Sequence, residues 1–120
     1  AACRELQKRT TRCLTVQHYS DFIRIPIREI AYVRHILRYS EITLASGEKI
    51  KDGRGLKEIL SQLEDAPFVQ IDRGASVNLD YVRQIKGNCV LLSTGESLSI
   101  SRQKLAAVKE AISRIWGNSL

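Results

Sequence analysis

The amino-acid sequence predicts a mainly β domain, with short strands in small sheets, one short mid-chain helix and a C-terminal helix. Apolar residues alternate with polar ones over most of the first half of the chain, and this period of two is typical of half-buried strands. Turn sequences recur at short intervals, and helical periodicity is confined to two segments. The order of elements differs from a β–α–β alternation, and 120 residues suffice for about one domain.

The strands are recognised by their alternation and by the turn residues that separate them. In chain order they are predicted at residues 14–17, 23–28, 30–36, 39–44, 49–52, 68–71, 82–86, 89–93 and 97–100. Gly47 provides the positive φ that the turn between the fourth and fifth strands requires. Pro26 lacks a backbone N–H, so it belongs at a sheet edge or at a strand end. Residues 76–80 are predicted to form a turn or a single helical turn.

Two segments have the spacing of amphipathic helices. Apolar residues at positions 56, 59, 60 and 63 predict a short helix that begins near Gly55 and ends before Pro67. Ser101 is a suitable N-cap for the final helix, and Gly117 fits the position just after its end. The buried stripe of this helix is predicted to comprise Leu105, Val108, Ile112, Ile115 and Trp116.

The charge of the chain favours an anionic partner. There are 19 Lys and Arg residues against 13 Asp and Glu, which gives a net charge of +6. Residues 1–12 carry four cations and one acid with little apolar periodicity. We therefore expect 1–12 to be a linker or the end of an upstream segment, followed by a folded domain over 13–120. The sequence contains no methionine, so we expect it to be a piece of a longer chain.

Several classes of protein are disfavoured by the residues that the sequence lacks. No apolar run approaches the ~18 residues of a membrane span. The cysteines, Cys3, Cys13 and Cys89, are odd in number and lack C-x-x-C spacing, so we expect reduced thiols in the cytoplasm. His18 and His35 have no metal-ligand spacing, and catalytic motifs are missing. We expect no metal, no cofactor and no enzymatic activity.

A few cations fall at positions that stability does not explain. Arg38 stands beside Tyr39 at the start of a hairpin strand, and Arg73 lies at a strand end before a glycine. Arg102 and Lys104 fall in the first turn of the last helix, where the helix dipole disfavours cations by ~0.3–1 kcal/mol. An anionic partner would account for these positions, and arginine can make bidentate contacts that lysine cannot.

Five stretches occur together in an order that is typical of one family. They are IREIAYV at 27–33, SGE at 46–48, GLKEI at 55–59, FVQIDRGASVNL at 68–79 and LSISR at 98–102. Together they resemble the LytTR family of bacterial DNA-binding domains over roughly residues 13–116. The stretch F-x-x-I-x-R…V-N-L and the late I-S-R are the most specific parts of this resemblance.

The resemblance implies a LytTR-like fold whose loops, rather than a recognition helix, enter successive major grooves of promoter DNA. By position, it implies DNA contacts from Arg38 and Tyr39 in one loop, from Arg73 in a second and from Arg102 in a third. Loop arginines would read guanine edges, and each good contact is worth ~1–3 kcal/mol of discrimination between bases. The resemblance therefore predicts sequence-specific binding of double-stranded DNA by the output domain of a bacterial transcription regulator.

The remaining expectations concern flanking residues and partners. Lys104 is predicted to neutralise phosphates. Asp72 stands where the family commonly has histidine, and it is a candidate either to accept from a cytosine N4 or to orient Arg73. An upstream receiver domain is implied because such domains frequently follow one. Two half-sites on the DNA are expected because one module of ~100 residues buries limited surface.

Three other functions stay open on the sequence alone. A basic interaction module would bind an acidic protein or a membrane surface, and Arg73→Ala and Arg102→Ala would then weaken binding to all DNA sequences equally. A hydrolase using Ser101 or Asp72 would need a deep polar pocket. An RNA-binding β domain would prefer single-stranded RNA in competition with duplex DNA.

Overall fold

A computed structural model of the chain describes residues 13–18, 20–63 and 66–117, and the predicted linker at 1–12 lies outside these residues. The described residues confirm the predicted fold class, mainly β with a short mid-chain helix and a C-terminal helix. In chain order the elements are β1 (Cys13–His18), β2 (Asp21–Pro26), a 3-10 turn (Ile27–Glu29), β3 (Ile30–Ile36), β4 (Tyr39–Leu44), β5 (Lys49–Asp52), α1 (Leu56–Ser61), β6 (Phe68–Asp72), β7 (Ala75–Asn78), a second 3-10 turn (Leu79–Tyr81), β8 (Val82–Lys86), β9 (Cys89–Leu92), β10 (Ser97–Ser99) and α2 (Arg102–Gly117).

The strands form three small antiparallel sheets. β1 and β2 make a hairpin, β10, β9 and β8 make a three-stranded sheet, and the central sheet has the order β5-β4-β3-β7-β6. In the middle of the central sheet, the first four residues of β3 are all buried. A continuous buried stretch is typical of a strand that is covered on both faces. The central sheet therefore separates two hydrophobic cores.

The first core lies between the central sheet, the β1–β2 hairpin and α1. Its buried members are Leu14, Val16, Ile25, Ile27, Ile30, Val33, Ile42, Leu44, Leu56, Ile59 and Leu63. The apolar spacing that predicts α1 thus faces this core, and Leu63 joins it just beyond the helix end. Burial of each such aliphatic side chain stabilises the fold by about 1.5–3 kcal/mol. The β1–β2 hairpin is therefore an integral part of the domain.

The second core lies on the other side of the central sheet, under the three-stranded sheet and α2. Its buried members are Ala31, Tyr32, Ile71, Val77, Leu79, Val82, Val90, Leu92, Ile100, Val108 and Ile112. Leu105 and Trp116 are partly buried against it, as their helical spacing predicts. Ile115 is 44% exposed, and its assignment to the buried stripe is wrong. At 100° per residue Ile115 projects to the border of the stripe, whereas Ile112 and Trp116 lie near its centre.

The prediction of a turn or a single helical turn at 76–80 is wrong for the first part of that segment. β7 pairs with β3 on one side and with β6 on the other, so it is an interior strand. Its residues Ser76 and Asn78 are buried although they are polar, so the sequence of β7 lacks the alternation of apolar and polar residues that would predict a strand. The Asn78 amide donates to the carbonyl oxygen of Ile30 at 2.9 Å and accepts from the N–H of Asp80 at 2.9 Å. Pairing in the sheet thus overrides the local turn propensity.

The strand predicted at 23–28 lies two residues earlier in the structure, at Asp21–Pro26. β2 ends at Pro26, and a 3-10 turn begins at Ile27. The third isoleucine of the alternating series, Ile27, is therefore buried but lies in a turn and not in a strand.

None of the helices in the described part of the chain is long and apolar enough to span a bilayer.

An ion pair with a fully buried carboxylate connects the β1–β2 hairpin to the central sheet. Asp52, fully buried at the end of β5, accepts from Arg54 Nε at 2.9 Å and from Arg54 Nη2 at 2.7 Å. Arg54 also donates to the carbonyl oxygen of Thr15, and the N–H of Gln17 donates to Asp52 Oδ2 at 3.1 Å. Two of these hydrogen bonds, from Arg54 to Thr15 and from Gln17 to Asp52, therefore join β1 to the end of β5.

These contacts set the protonation of the pair. Burial by itself raises the pKa of Asp52, but hydrogen bonds from Arg54 and Gln17, with the charge of Arg54, outweigh it. The pKa of Asp52 consequently lies below its ordinary value of 3.8. The hydrogen bond to Asp52 raises the pKa of Arg54, so both groups are charged at neutral pH.

Candidate nucleic-acid interface

Two hairpin turns of the central sheet lie side by side at one end of that sheet. The β3–β4 turn contains Arg38, and the β6–β7 turn contains Arg73. β3 and β7 are antiparallel neighbours, and the N–H of His35 donates to the carbonyl oxygen of Gly74 at 2.7 Å. Because this bond joins the last part of β3 to the β6–β7 turn, Arg38 and Arg73 are brought to the same end of the sheet.

The third predicted segment reaches the β6–β7 turn from the other core. The N–H of Ser101 donates to the carbonyl oxygen of Ile71 at 2.8 Å, so α2 begins beside the end of β6. Arg73 and Lys104 line one open concavity of about 490 Å³. The other lining residues are Gln70, Asp72, Ser101 and Gln103. Arg102 is exposed at the first position of α2 and is not part of this lining.

The β6–β7 turn is held by its own polar groups. Asp72 Oδ1 accepts from the N–H of Arg73 at 2.7 Å, and the Gln70 amide donates to the carbonyl oxygen of Arg73 at 3.2 Å. The register shifts between Gln70 and Asp72, which marks a bulge next to the turn. Arg73 therefore has a fixed backbone and an exposed side chain. Asp72 thus holds the backbone of the turn that carries Arg73, and both roles predicted for it at a DNA interface stay predictions.

The β3–β4 turn has an unusual backbone. Leu37 has a φ of +54° and is 88% exposed, and Arg38 next to it is also exposed. A leucine in this left-handed region costs about 1–2 kcal/mol relative to glycine. Tyr39, which begins β4, is half-buried, and Lys51 Nζ lies 4.9 Å from the centre of its ring. Tyr39 is thus occupied partly by a cation–π contact within the central sheet.

The cations of this end are available to a partner. In the ranges 13–18, 20–63 and 66–117, the side chains of Arg38, Arg73 and Arg102 form no hydrogen bond or ion pair. Each is exposed, whereas three of the five donors of Arg54 are taken by Asp52 and Thr15. Unpaired guanidinium groups retain all five donors for a carboxylate, a phosphate or a guanine edge.

Some residues at this end escape the sequence reasoning. A second open concavity, of about 460 Å³, lies on the other side of Asp72, and Arg34 and His35 line it with Gly74. Both side chains are exposed near the end of β3. They fall within the strand predicted at 30–36, and no pattern in the sequence marks their place beside the β6–β7 turn. Gln70 and Gln103 of the first concavity carry no sequence signal of their own.

The two concavities give little support to hydrolytic chemistry. The hydrolase alternative requires a deep polar pocket, whereas the concavity that Ser101 and Asp72 line is open. Among the described residues, no group of three or more His, Cys, Asp or Glu side chains is placed to hold a metal ion. The arrangement is suited to binding an extended anion by exposed guanidinium groups.

Comparisons with known proteins bear on the same residues. The family model of the LytTr DNA-binding domain matches residues 20–113. Among solved structures, the chain is similar to the LytTr DNA-binding domain of a Bacillus cereus protein described as a methyl-accepting/DNA response regulator. The TM-score is 0.72 at 15% sequence identity, over 83% of this chain and 95% of that chain, so this likeness concerns the fold. A comparison with curated proteins finds no match.

Proposed function

Because the chain belongs to the LytTR family of DNA-binding domains, we propose that it is the sequence-specific output domain of a bacterial transcription regulator. In this proposal it binds double-stranded promoter DNA in the cytoplasm, with its loops in the major groove and without enzymatic activity. The family model covers 20–113, which includes all three loops in question.

One observation carries the proposal. Arg38, Arg73 and Arg102 are far apart in sequence, yet backbone hydrogen bonds between His35 and Gly74 and between Ser101 and Ile71 join their segments. The three side chains are exposed and unpaired within the described residues. A set of unpaired guanidinium groups on adjacent turns fits a surface of phosphates and guanine edges.

The proposed mechanism divides the work among the residues of these turns. The three arginines donate to O6 and N7 of guanines, which gives sequence discrimination. Lys104 and the exposed Arg34 neutralise phosphates, which gives affinity without discrimination. Asp72 holds the turn of Arg73 through its Oδ1 atom and accepts from a cytosine N4 with its remaining capacity.

The proposal includes two further partners. An upstream receiver domain would control the output domain, a view supported by the similar Bacillus cereus domain, which belongs to a protein described as a response regulator. A second copy would occupy a second half-site. A single small module buries about 600–1,000 Å² on DNA, which is at the low end for a specific complex.

Selection of bound duplexes from a random library tests the proposal directly. The purified chain should enrich two similar half-sites about one helical turn, or roughly 10 base pairs, apart. Arg83→Ala is a matched control, because Arg83 is exposed on β8 and lines neither concavity. It should enrich the same motif. Recovery of unrelated duplexes only would contradict sequence-specific binding and would favour a basic interaction module.

A further inference from the structure

Leu37 combines two unfavourable properties at one position. Its φ is +54°, and it is the only residue other than glycine with a positive φ among those that the structure describes. Its side chain is 88% exposed, more than those of the other exposed large apolar residues, Phe22, Ile23 and Ile115. Neither the backbone nor the burial of this residue therefore contributes to the stability of the fold.

The turn itself normally selects a different residue. Ile36 and Tyr39 pair across the hairpin, so Leu37 and Arg38 form a two-residue loop with positive φ at its first position only. This pattern is that of a type II′ turn, in which glycine is the usual first residue. A leucine at such a position is the kind of local strain that clusters at functional sites.

The surroundings of Leu37 indicate what its side chain would meet. Arg38 follows it directly, and the bond between His35 and Gly74 places the turn of Arg73 beside it. An apolar tip flanked by unpaired cations fits a surface that is anionic overall but has isolated apolar groups. The major groove of duplex DNA is such a surface, because phosphates border it and the C5-methyl group of thymine projects into it.

We infer that Leu37 is a specificity-determining residue that contacts a thymine C5-methyl group in the major groove. The thymine lies next to the base that Arg38 contacts, because the two residues are consecutive in one tight turn. This inference rests on the proposed function, since it requires major-groove binding by the β3–β4 turn. It adds an apolar contact to a site whose other members act through charge and hydrogen bonds.

The experiment removes the methyl group from the DNA and the side chain from the protein, separately and together. Starting from a selected duplex, each thymine is replaced in turn by deoxyuridine, which lacks only the C5-methyl group. Binding is measured by fluorescence anisotropy for the wild-type chain, Leu37→Ala, Leu37→Gly and Ile115→Ala. Ile115 is the control because it is an exposed apolar residue on α2.

One thymine in each half-site should be sensitive. Replacing it by deoxyuridine should weaken wild-type binding about fourfold, as the loss of one buried methyl group predicts. Leu37→Ala and Leu37→Gly should bind the two duplexes equally, and Ile115→Ala should retain the wild-type discrimination. Leu37→Gly should melt at or above the wild-type temperature, since glycine suits the positive φ, so its loss of discrimination cannot come from unfolding.

Two results would overturn the inference while leaving the proposed function intact. One is a selected duplex that the wild-type chain binds equally with thymine or deoxyuridine at every position. The other is a Leu37→Ala variant that still distinguishes the thymine duplex from the deoxyuridine duplex. Such a variant would weaken binding to both duplexes by the same factor or not at all, as expected for an inserted wedge or a backbone role. If the wild-type chain enriches no duplex at all, the proposed function fails first and the inference fails with it.

Discussion

The two edges of the central sheet carry the same pair of residue types in opposite states. At the β5 edge, Asp52 and Arg54 form a bidentate pair in which the carboxylate is fully buried. At the β6 edge, Asp72 accepts from the backbone of Arg73, and both side chains are exposed. Asp52 pairs with Ser40 and Asp72 pairs with Ala75, so both edges end at the side of the β3–β4 and β6–β7 turns.

The difference arises from what covers each edge. β1 lies against β5, and its backbone at Thr15 and Gln17 completes the hydrogen bonding of the Asp52–Arg54 pair. At the β6 edge, α2 begins beside Ile71, and an open concavity is left next to the Arg73 side chain. An arginine is therefore structural or available according to the element that covers its strand edge. The count of 19 Lys and Arg residues combines both kinds, so it overstates the number of cations that a partner can use.

The largest effect on stability should come from breaking the Asp52–Arg54 pair, which β1 covers. Arg54→Ala leaves the buried Asp52 carboxylate without its counterion, and we expect a loss of about 3 kcal/mol in the free energy of unfolding. Arg73→Ala, at the open edge, should change stability by less than about 0.5 kcal/mol. Urea denaturation followed by circular dichroism measures both. Equal losses for the two variants would remove the distinction between the edges.

The second largest effect should be the pH dependence of the stability that the Asp52–Arg54 pair provides. Because the folded-state pKa of Asp52 is lowered, the unfolded chain binds more protons near the ordinary pKa of 3.8. The stabilisation is therefore complete above that pH and is lost as the pH falls through the lower folded-state pKa. We expect Asp52→Asn to be less stable than wild type by about 2 kcal/mol at neutral pH.

Denaturation curves for wild type and Asp52→Asn over a series of pH values test this expectation. The gap between their free energies of unfolding should narrow as the pH falls below about 4. The matched control is Asp72→Asn, whose exposed carboxylate should give a gap of less than about 0.5 kcal/mol throughout. A gap for Asp52→Asn that does not vary with pH would contradict a lowered pKa.

At the β6 edge, loss of the Arg73 side chain should lower the affinity for DNA. Arg73→Ala should lose about 1.5 kcal/mol, or about tenfold, on the selected duplex. On a duplex changed at the base pair that Arg73 contacts, wild type and variant should bind alike. Fluorescence anisotropy on the two duplexes gives this difference, and Arg102→Ala should give the same pattern at another base pair. The same fold-loss on every duplex would favour a basic interaction module.

The smallest effect should come from the phosphate contact. Lys104→Ala should weaken binding to all duplexes alike and lower the slope of log affinity against log salt by about 1. The same titration with Lys109→Ala provides a control, since Lys109 is exposed on α2 and lines neither concavity. An unchanged salt slope for Lys104→Ala would exclude a phosphate contact by this residue.

The fold was largely predictable where apolar residues mark a strand. β3, β4 and β5 have the predicted bounds, because each pairs in a register that sends its apolar residues to the cores. β7 was not predictable, since its buried Ser76 and Asn78 owe their place to pairing with β3 and β6. Long-range pairing of this kind leaves no local pattern in the sequence.

The turns that carry the candidate site were predictable from the sequence, but their backbone conformation was not. The positions of Arg38, Arg73 and Arg102 relative to the strands pointed to turns, and the structure brings those turns together. The positive φ of Leu37 follows from the tight turn between paired strands, and leucine carries no signal for it. No pattern in the sequence marks the structural role of Arg54, because the burial of Asp52 depends on β1, which lies far away in the chain.

The strand order of the central sheet also fixes a distance. The β3–β4 and β6–β7 turns are centred two strand spacings apart, which is about 10 Å. This length equals the rise of about three base pairs of DNA at 3.4 Å each. Because backbone hydrogen bonds set the spacing, side-chain substitution cannot change it. We expect the bases sensitive to Arg38→Ala and Arg73→Ala to keep one constant separation, within about half a helical turn, in every duplex that the chain selects.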